Sequence, residues 1–197
     1  MVAPDDPLIR EALSAAYRAA TRRRYAAVRV GAGSRVDFWK VRPCACNALD
    51  VGDRSMLAAR IVFERPGARL KIGSRSFVGR GLMSIVDCVE IGDDVMVAWG
   101  ATIVDHHSHS MRMRERLKDV EQWIEGRKDW TGVRIAPVRI ESKAWLGFNV
   151  SVLPGVVIGE GAIVGACSLV TRSIPAWTVA AGNPAQVLRE QSADERT

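Results

Sequence analysis

The sequence is short of the features that announce several common protein classes. Among 197 residues there are three histidines, two tyrosines and four phenylalanines. The four cysteines, Cys44, Cys46, Cys88 and Cys167, form no CxxC pair and no zinc-ligand spacing, which argues against a disulfide scaffold or a zinc module. No apolar run reaches the ~20 residues a membrane-spanning helix needs, and the N-terminus lacks the apolar core of a signal peptide. These absences set the expectation of a cytoplasmic chain with reduced thiols and no integral membrane segment. Acidic residues are also in deficit, 22 against 28 Lys and Arg, for a net charge of +6. The excess lies early, at Arg10, Arg18, Arg22, Arg23, Arg24, Arg29, Arg35, Lys40 and Arg42. Such a face could attract nucleic acid, an acidic membrane surface or a phosphorylated cofactor. No nucleic-acid motif accompanies it, so a solvated helix face is the preferred interpretation and no nucleic-acid partner is expected.

What is present is a period. Ile140, Leu146, Val152, Ile158, Val164 and Val170 stand six apart, and four positions after each comes Ala144, Val150, Val156, Ala162, Ser168 or Ile174. A helix face repeats near 3.6 and a strand near 2, so six fits neither as one element. It fits a short strand followed by a corner, with three sides of about eighteen residues making one coil of a parallel β-helix. The same beat recurs at Val51 and Leu57, at Ile72 and Val78, and at Ile91, Val97 and Ile103. Gly52-Asp53, Gly73-Ser74 and Gly92-Asp93 fall at expected corners, where the backbone must turn. The fold class is therefore an all-β solenoid of hexapeptide repeats with an N-terminal helix and one long excursion loop. Residues 1–27 are expected to hold the helix, with Asp6 as N-cap, Pro7 in the first turn and an apolar stripe of Leu8, Ala12, Leu13, Ala16, Tyr17 and Ala20. Residues 28–188 form the solenoid, interrupted at about 110–136, and residues 189–197 a polar tail.

The interruption follows directly on Asp105-His106-His107-Ser108-His109, which contains every histidine of the chain. Long excursions from a compact repeat are commonly functional. An imidazole titrates near neutrality and suits proton abstraction. His106, at a coil corner beside a projecting loop, is thus a candidate general base for attack of a hydroxyl or amine on a thioester. Asp105, a backbone carbonyl or another histidine could fix its tautomer. Trp123 and Trp130 in the excursion could stack on a sugar ring or anchor the loop, and Trp130 is the candidate substrate contact.

Ala144-Trp145-Leu146-Gly147, Leu153-Pro154-Gly155-Val156-Val157-Ile158-Gly159, Val164-Gly165-Ala166-Cys167-Ser168-Leu169-Val170-Thr171 and Ala180-Ala181-Gly182-Asn183-Pro184-Ala185 resemble the hexapeptide-repeat acyltransferases. The likeness is to sugar O-acetyltransferases of the galactoside and maltose acetyltransferase and surface-polysaccharide type. It spans about residues 50–190 and is strongest in the last third. The resemblance implies a left-handed coil, a homotrimer, and acetyl-CoA in the groove between subunits with no metal required. It implies that His106 is the catalytic histidine, the first of a His-x-x-His pair whose second member is His109, and that Ala166, Thr171, Arg172 and Arg189 contact the cofactor. Trp145 could flank the pantetheine arm, and Gly147 could let it approach the backbone. Phe148 and Gln186 depart from the pattern, standing where relatives carry a serine and an arginine. The implied activity is transfer of acetyl to a sugar hydroxyl in polysaccharide or glycoconjugate biosynthesis. Rival expectations on the same scaffold are N-acylation of an amino sugar or antibiotic, a metal-dependent carbonic anhydrase, and a non-catalytic scaffold.

Overall fold

The computed structural model describes residues 7–196, the side chains of Pro7, Leu8 and Arg10 excepted. The expected N-cap, Asp6, lies outside the described residues. Helix α1 (Pro7–Thr21) leads through a short 3-10 turn at Arg22–Arg24 into a three-sided parallel solenoid. The first side stacks Tyr25–Val30, Asn47–Val51, Arg69–Ile72, Cys88–Ile91, Val138–Ile140 and Val157–Ile158. On the second side Arg35–Val36, Met56–Leu57, Phe77–Val78, Met96–Val97, Trp145–Leu146, Ile163–Val164 and Thr178–Gly182 stack in the same order. A third side carries Val41–Arg42, Arg60–Phe63, Leu82–Ile85, Thr102–Val104, Ser151–Val152 and Leu169–Val170. Each strand pairs in parallel with the strand one coil away, so like positions form columns. Ile140, Leu146, Val152, Ile158, Val164 and Val170 all point inward and are buried, as are Ala144, Val150, Val156, Ala162, Ser168 and Ile174. Because one coil cannot bury its own inner face, the stack as a whole supplies the stability.

The expected pairs do stand at corners, where turns run through Asp53 and Arg54, Ser74 and Arg75, and Asp93 and Asp94. Gly52, Gly73 and Gly92 do not carry the positive φ; Arg54, Arg75 and Asp94, two residues further on, do, at 54°, 56° and 57°. The glycines are needed because a Cβ on Gly73 would lie 2.5 Å from the carbonyl carbon of Gly92, in the next coil. Close stacking excludes a side chain there, and the left-handed turn is displaced onto polar residues at about 1 kcal/mol each. A serine ladder inside the same corner offsets part of that cost. Ser55 N–H donates to Ser34 Oγ at 2.8 Å and Ser76 N–H to Ser55 Oγ at 3.0 Å.

Helix α1 lies against the first coil through Ser14, whose hydroxyl donates to the Val36 carbonyl at 3.0 Å, and through Tyr17. Among its described side chains, Ile9, Ala12, Leu13, Ala16 and Ala20 are exposed. At the far end Ala185–Glu190 folds back antiparallel on Thr178–Gly182. The expected polar tail therefore begins inside a strand, and Gln191 beyond it is buried, its side-chain amide donating to the Gly161 carbonyl at 2.6 Å.

Candidate active site

The excursion leaves the third side after Val104 and returns at Val138. Its two ends zip together. His107 N–H donates to the Arg134 carbonyl at 3.1 Å and Ala136 N–H to the Asp105 carbonyl at 2.9 Å. Between them lie helices α2 (Met113–Arg116) and α3 (Asp119–Ile124). The three histidines at the base consequently have three different surroundings.

Asp105 is fully buried and does not touch His106. Its Oδ1 accepts the Val86 N–H at 2.8 Å, and its Oδ2 accepts those of Asp87 and Cys88 at 2.7 and 2.8 Å. Burial pushes its carboxyl above the ordinary carboxylate value, while these three donors pull it back. The proposed tautomer-fixing role of Asp105 thus gives way to a scaffolding one, closing the turn of the preceding coil.

His106 is buried beneath the excursion. Its Nδ1 accepts the Ser108 backbone N–H at 3.0 Å, so the neutral ring must carry its proton on Nε2. Nε2 lies 3.0 Å from Ser84 Oγ, and that hydroxyl donates to Glu64 Oε1 at 3.3 Å. The Trp130 ring meets His106 edge-on at 5.3 Å. Burial lowers the imidazole pKa below its ordinary value. With its lone pair committed to a backbone donor, His106 in this arrangement has nothing free to accept a substrate proton.

His109 has the complementary surroundings. Its Nδ1 is hydrogen-bonded to Asp119 Oδ2 at the start of α3, and no hydrogen-bond partner meets its Nε2 among the described residues. The Trp123 ring packs against it at 5.2 Å. Asp119 is itself buried, and Lys128 Nζ lies 2.9 Å from its Oδ1. The Lys128 ammonium is enclosed, 5.1 Å from the Trp123 ring centroid and 5.6 Å from that of Trp130, an ion pair braced by two aromatic faces. The hydrogen bond from His109, followed by the contact with Lys128, holds the Asp119 carboxyl below its usual range. Neither Asp119 nor Lys128 was singled out from the sequence. An acidic residue followed by an apolar helical turn was the available signal, but only the folded excursion brings it to His109.

The expected cofactor positions lie on the C-terminal coils. Trp145, Ala166, Thr171 and Arg172 are exposed there, Trp145 at 52%. Gly147 serves stacking: a Cβ would sit 2.6 Å from the Ala166 nitrogen in the next coil. Arg189 is occupied by a two-pronged pair with Glu195, each contact 2.7 Å. Phe148 stacks on Trp99 at 4.9 Å, forming an exposed aromatic corner on adjacent coils. Among the described residues no group of three or more His, Cys, Asp or Glu side chains could hold a metal ion. No helix there is long and apolar enough to cross a membrane.

Comparison with known proteins places these observations. Residues 137–172 match the family described as bacterial transferase hexapeptide (six repeats). The chain is 33% identical over 144 residues to galactoside O-acetyltransferase of Escherichia coli K12, covering 71% of this chain and 63% of that one. It spans less than two thirds of the length of the first curated relatives it matches. Among solved structures it resembles a hexapeptide-repeat acetyltransferase from Vibrio cholerae complexed with acetyl coenzyme A (23% identity, 93% of this chain and 81% of that one, TM-score 0.55). It also resembles an N-acyltransferase from Bacillus cereus complexed with dTDP and 3-hydroxybutyryl-CoA (16% identity, 90% and 89%, TM-score 0.64). At these identities the structural likeness establishes the fold, a left-handed parallel β-helix. In the matched repeat at residues 137–172 and in its fold, the chain is thus similar to hexapeptide-repeat transferases.

Proposed function

We propose that the protein is an acyltransferase that moves the acetyl group of acetyl-CoA to a sugar hydroxyl, with His109 as general base. One observation carries the assignment: an imidazole held at Nδ1 by a buried carboxylate, its side chain 37% exposed and its Nε2 without a partner among the described residues. A carboxylate on one ring nitrogen fixes the tautomer that leaves the other as acceptor, and stabilises the imidazolium once formed. His109 Nε2 takes the hydroxyl proton as the oxygen attacks the thioester carbonyl. The tetrahedral adduct then expels the coenzyme A thiolate, which recovers the proton from the imidazolium. Atoms balance without a metal. Asp119 orients the base, and Lys128 with the two tryptophans keeps Asp119 ionised and in place. His106, tied to Ser108, Ser84 and Glu64, positions the segment from which His109 projects.

Acetyl-CoA would supply the activated acyl group, with Trp145, Ala166, Thr171 and Arg172 as its contacts. These are exposed residues on coils inside or beside the matched repeat, which supports the reading. The second side supports a homotrimer. Met56, Phe77, Met96, Trp145 and Ile163 occupy consecutive outward positions of paired strands, an apolar stripe suited to burial against another copy. The galactoside O-acetyltransferase relative supports a sugar acceptor, and surface-polysaccharide or glycoconjugate synthesis in the cytoplasm is the setting we infer.

The test is thiol release from acetyl-CoA by purified protein across a panel of sugar hydroxyls and amino sugars. His109→Gln should reduce turnover by about a thousandfold, and Asp119→Asn should lower kcat with little change in KM. Undiminished turnover in His109→Gln would reject the assignment of the base. Preference for amino sugars would redirect the acceptor to an amine.

A further inference from the structure

A cleft of about 540 Å³ lies at the opposite end of the solenoid from the matched repeat. Its walls include Tyr17 of α1, Trp39 and Lys40 of the 3-10 turn at Phe38–Lys40, and Arg42, Arg60 and Arg80 from three successive coils. The fold explains their convergence. Val41–Arg42 pairs with Ile61–Val62 and Arg60 with Leu82, so these side chains issue from neighbouring levels of the third side. Gly81, beside Arg80, lines the cleft where coils stack closely: a Cβ there would lie 2.3 Å from the Ala101 carbonyl oxygen.

Most of the positive charge in this cleft is uncompensated. Lys40 is satisfied, with Nζ 2.7 Å from Asp37 Oδ2 and 2.9 Å from the Ala58 carbonyl. Arg42, Arg60 and Arg80 have no hydrogen bond or ion pair among the described residues, unlike Arg29, Arg75, Arg139 and Arg189, each of which pairs with a carboxylate. Guanidiniums of like sign lining one cleft repel one another, and a multivalent anion relieves that repulsion while accepting forked hydrogen bonds. The volume falls in the range of small-molecule sites, and Trp39 and Tyr17 add aromatic surface to one wall.

We propose that this cleft binds a diphosphate-bearing ligand, the phosphates meeting Arg42, Arg60 and Arg80 and the attached group lying along Trp39 and Tyr17. The ligand is distinct from the acyl donor, whose expected contacts stand on the C-terminal coils. The proposal is independent of the acetyl-transfer assignment, because it is read by binding alone.

Calorimetry on the 197-residue chain tests it, with inorganic pyrophosphate, UDP, coenzyme A, and phosphatidylcholine vesicles containing phosphatidic acid as separate titrants. Pyrophosphate should bind, and the Arg60→Gln/Arg80→Gln variant should weaken it about tenfold or more, while coenzyme A affinity stays unchanged. Both arginines are exposed and unpaired, so the variant should melt with the wild type. Tighter binding of UDP than pyrophosphate, lost in Trp39→Ala, identifies a nucleotide source. Binding to the vesicles, lost in the arginine variant, identifies a lipid phosphate source. Absence of pyrophosphate binding, or equal binding by wild type and variant, overturns the proposal. A parallel loss of coenzyme A affinity would overturn it too, by handing the cleft to the cofactor.

Discussion

Replacing Asp105 separates a residue that holds the coil from one that acts on substrate. In Asp105→Asn the best arrangement turns the amide oxygen toward the Asp87 and Cys88 N–H groups, which now share Oδ2 at 2.7 and 2.8 Å. The amide nitrogen then faces the Val86 N–H, donor against donor, where Oδ1 accepted at 2.8 Å. One charge-assisted bond is lost and two are weakened, a cost of about 2–3 kcal/mol. Asp105→Ala strands all three buried donors and should cost about 5 kcal/mol. With an m-value of about 2 kcal/mol per molar urea, the asparagine variant should unfold roughly 1 M earlier. Urea titration at one protein concentration measures this, followed by acetyl-transfer kinetics on the folded variant. Turnover of the folded protein should stay within about threefold of wild type, because the side chain reaches neither His106 nor His109. Native urea resistance combined with lost turnover would refute the reasoning, since it would move Asp105 from the scaffold to the reaction.

Two further predictions concern protons. Burial depresses the His106 pKa, so the unfolded chain binds the proton first; stability should decline as pH falls below about 6.5. His106→Gln should flatten that slope in thermal melts taken from pH 7.5 to 5, and a slope unchanged by the substitution would remove the ring as its source. Lys128→Met takes the buried cation from Asp119, whose depressed pKa makes its ionised form stabilising above about pH 4. The variant should melt lower than wild type at pH 7, and the gap should narrow as pH falls below about 4 and through the depressed folded-state value, whereas a pH-independent gap would point to lost packing.

The coil was legible because burial in a solenoid is local. Ile140 through Val170 lie inward wherever the sixfold beat places them, and the excursion was visible as its loss. The corners were placed where they lie, but the left-handed dihedral falls on Arg54, Arg75 and Asp94 rather than on the glycines. Their glycines answer to the coil above rather than to their own dihedral angles, and the distance to the next coil is not written in local sequence. The site was legible as a place and not as a set of roles. His106 and His109 were both named, yet what each can do depends on Ser108 N–H, which lies within the turn, and on Asp119, which lies ten residues away in a helix that forms only when the excursion folds. Asp105 looked like a partner of its neighbour His106 because they adjoin. In a solenoid a residue's true neighbours lie one full coil away, here at separations of 17 to 19 positions.

The bond between Arg139 and Glu90 crosses 49 positions, whereas the bond one coil earlier at the adjoining corner, Arg75 to Asp94, crosses 19. Val89, Glu90 and Ile91 nevertheless meet Val138, Arg139 and Ile140 with no slip. Closing the longer loop adds about 0.8 kcal/mol of chain entropy, a small levy for a removable cassette. The segment that carries His109 and its carboxylate can therefore be lengthened, shortened or grafted between relatives while the column beneath it keeps its spacing, so acceptor choice can diverge without renegotiating the fold.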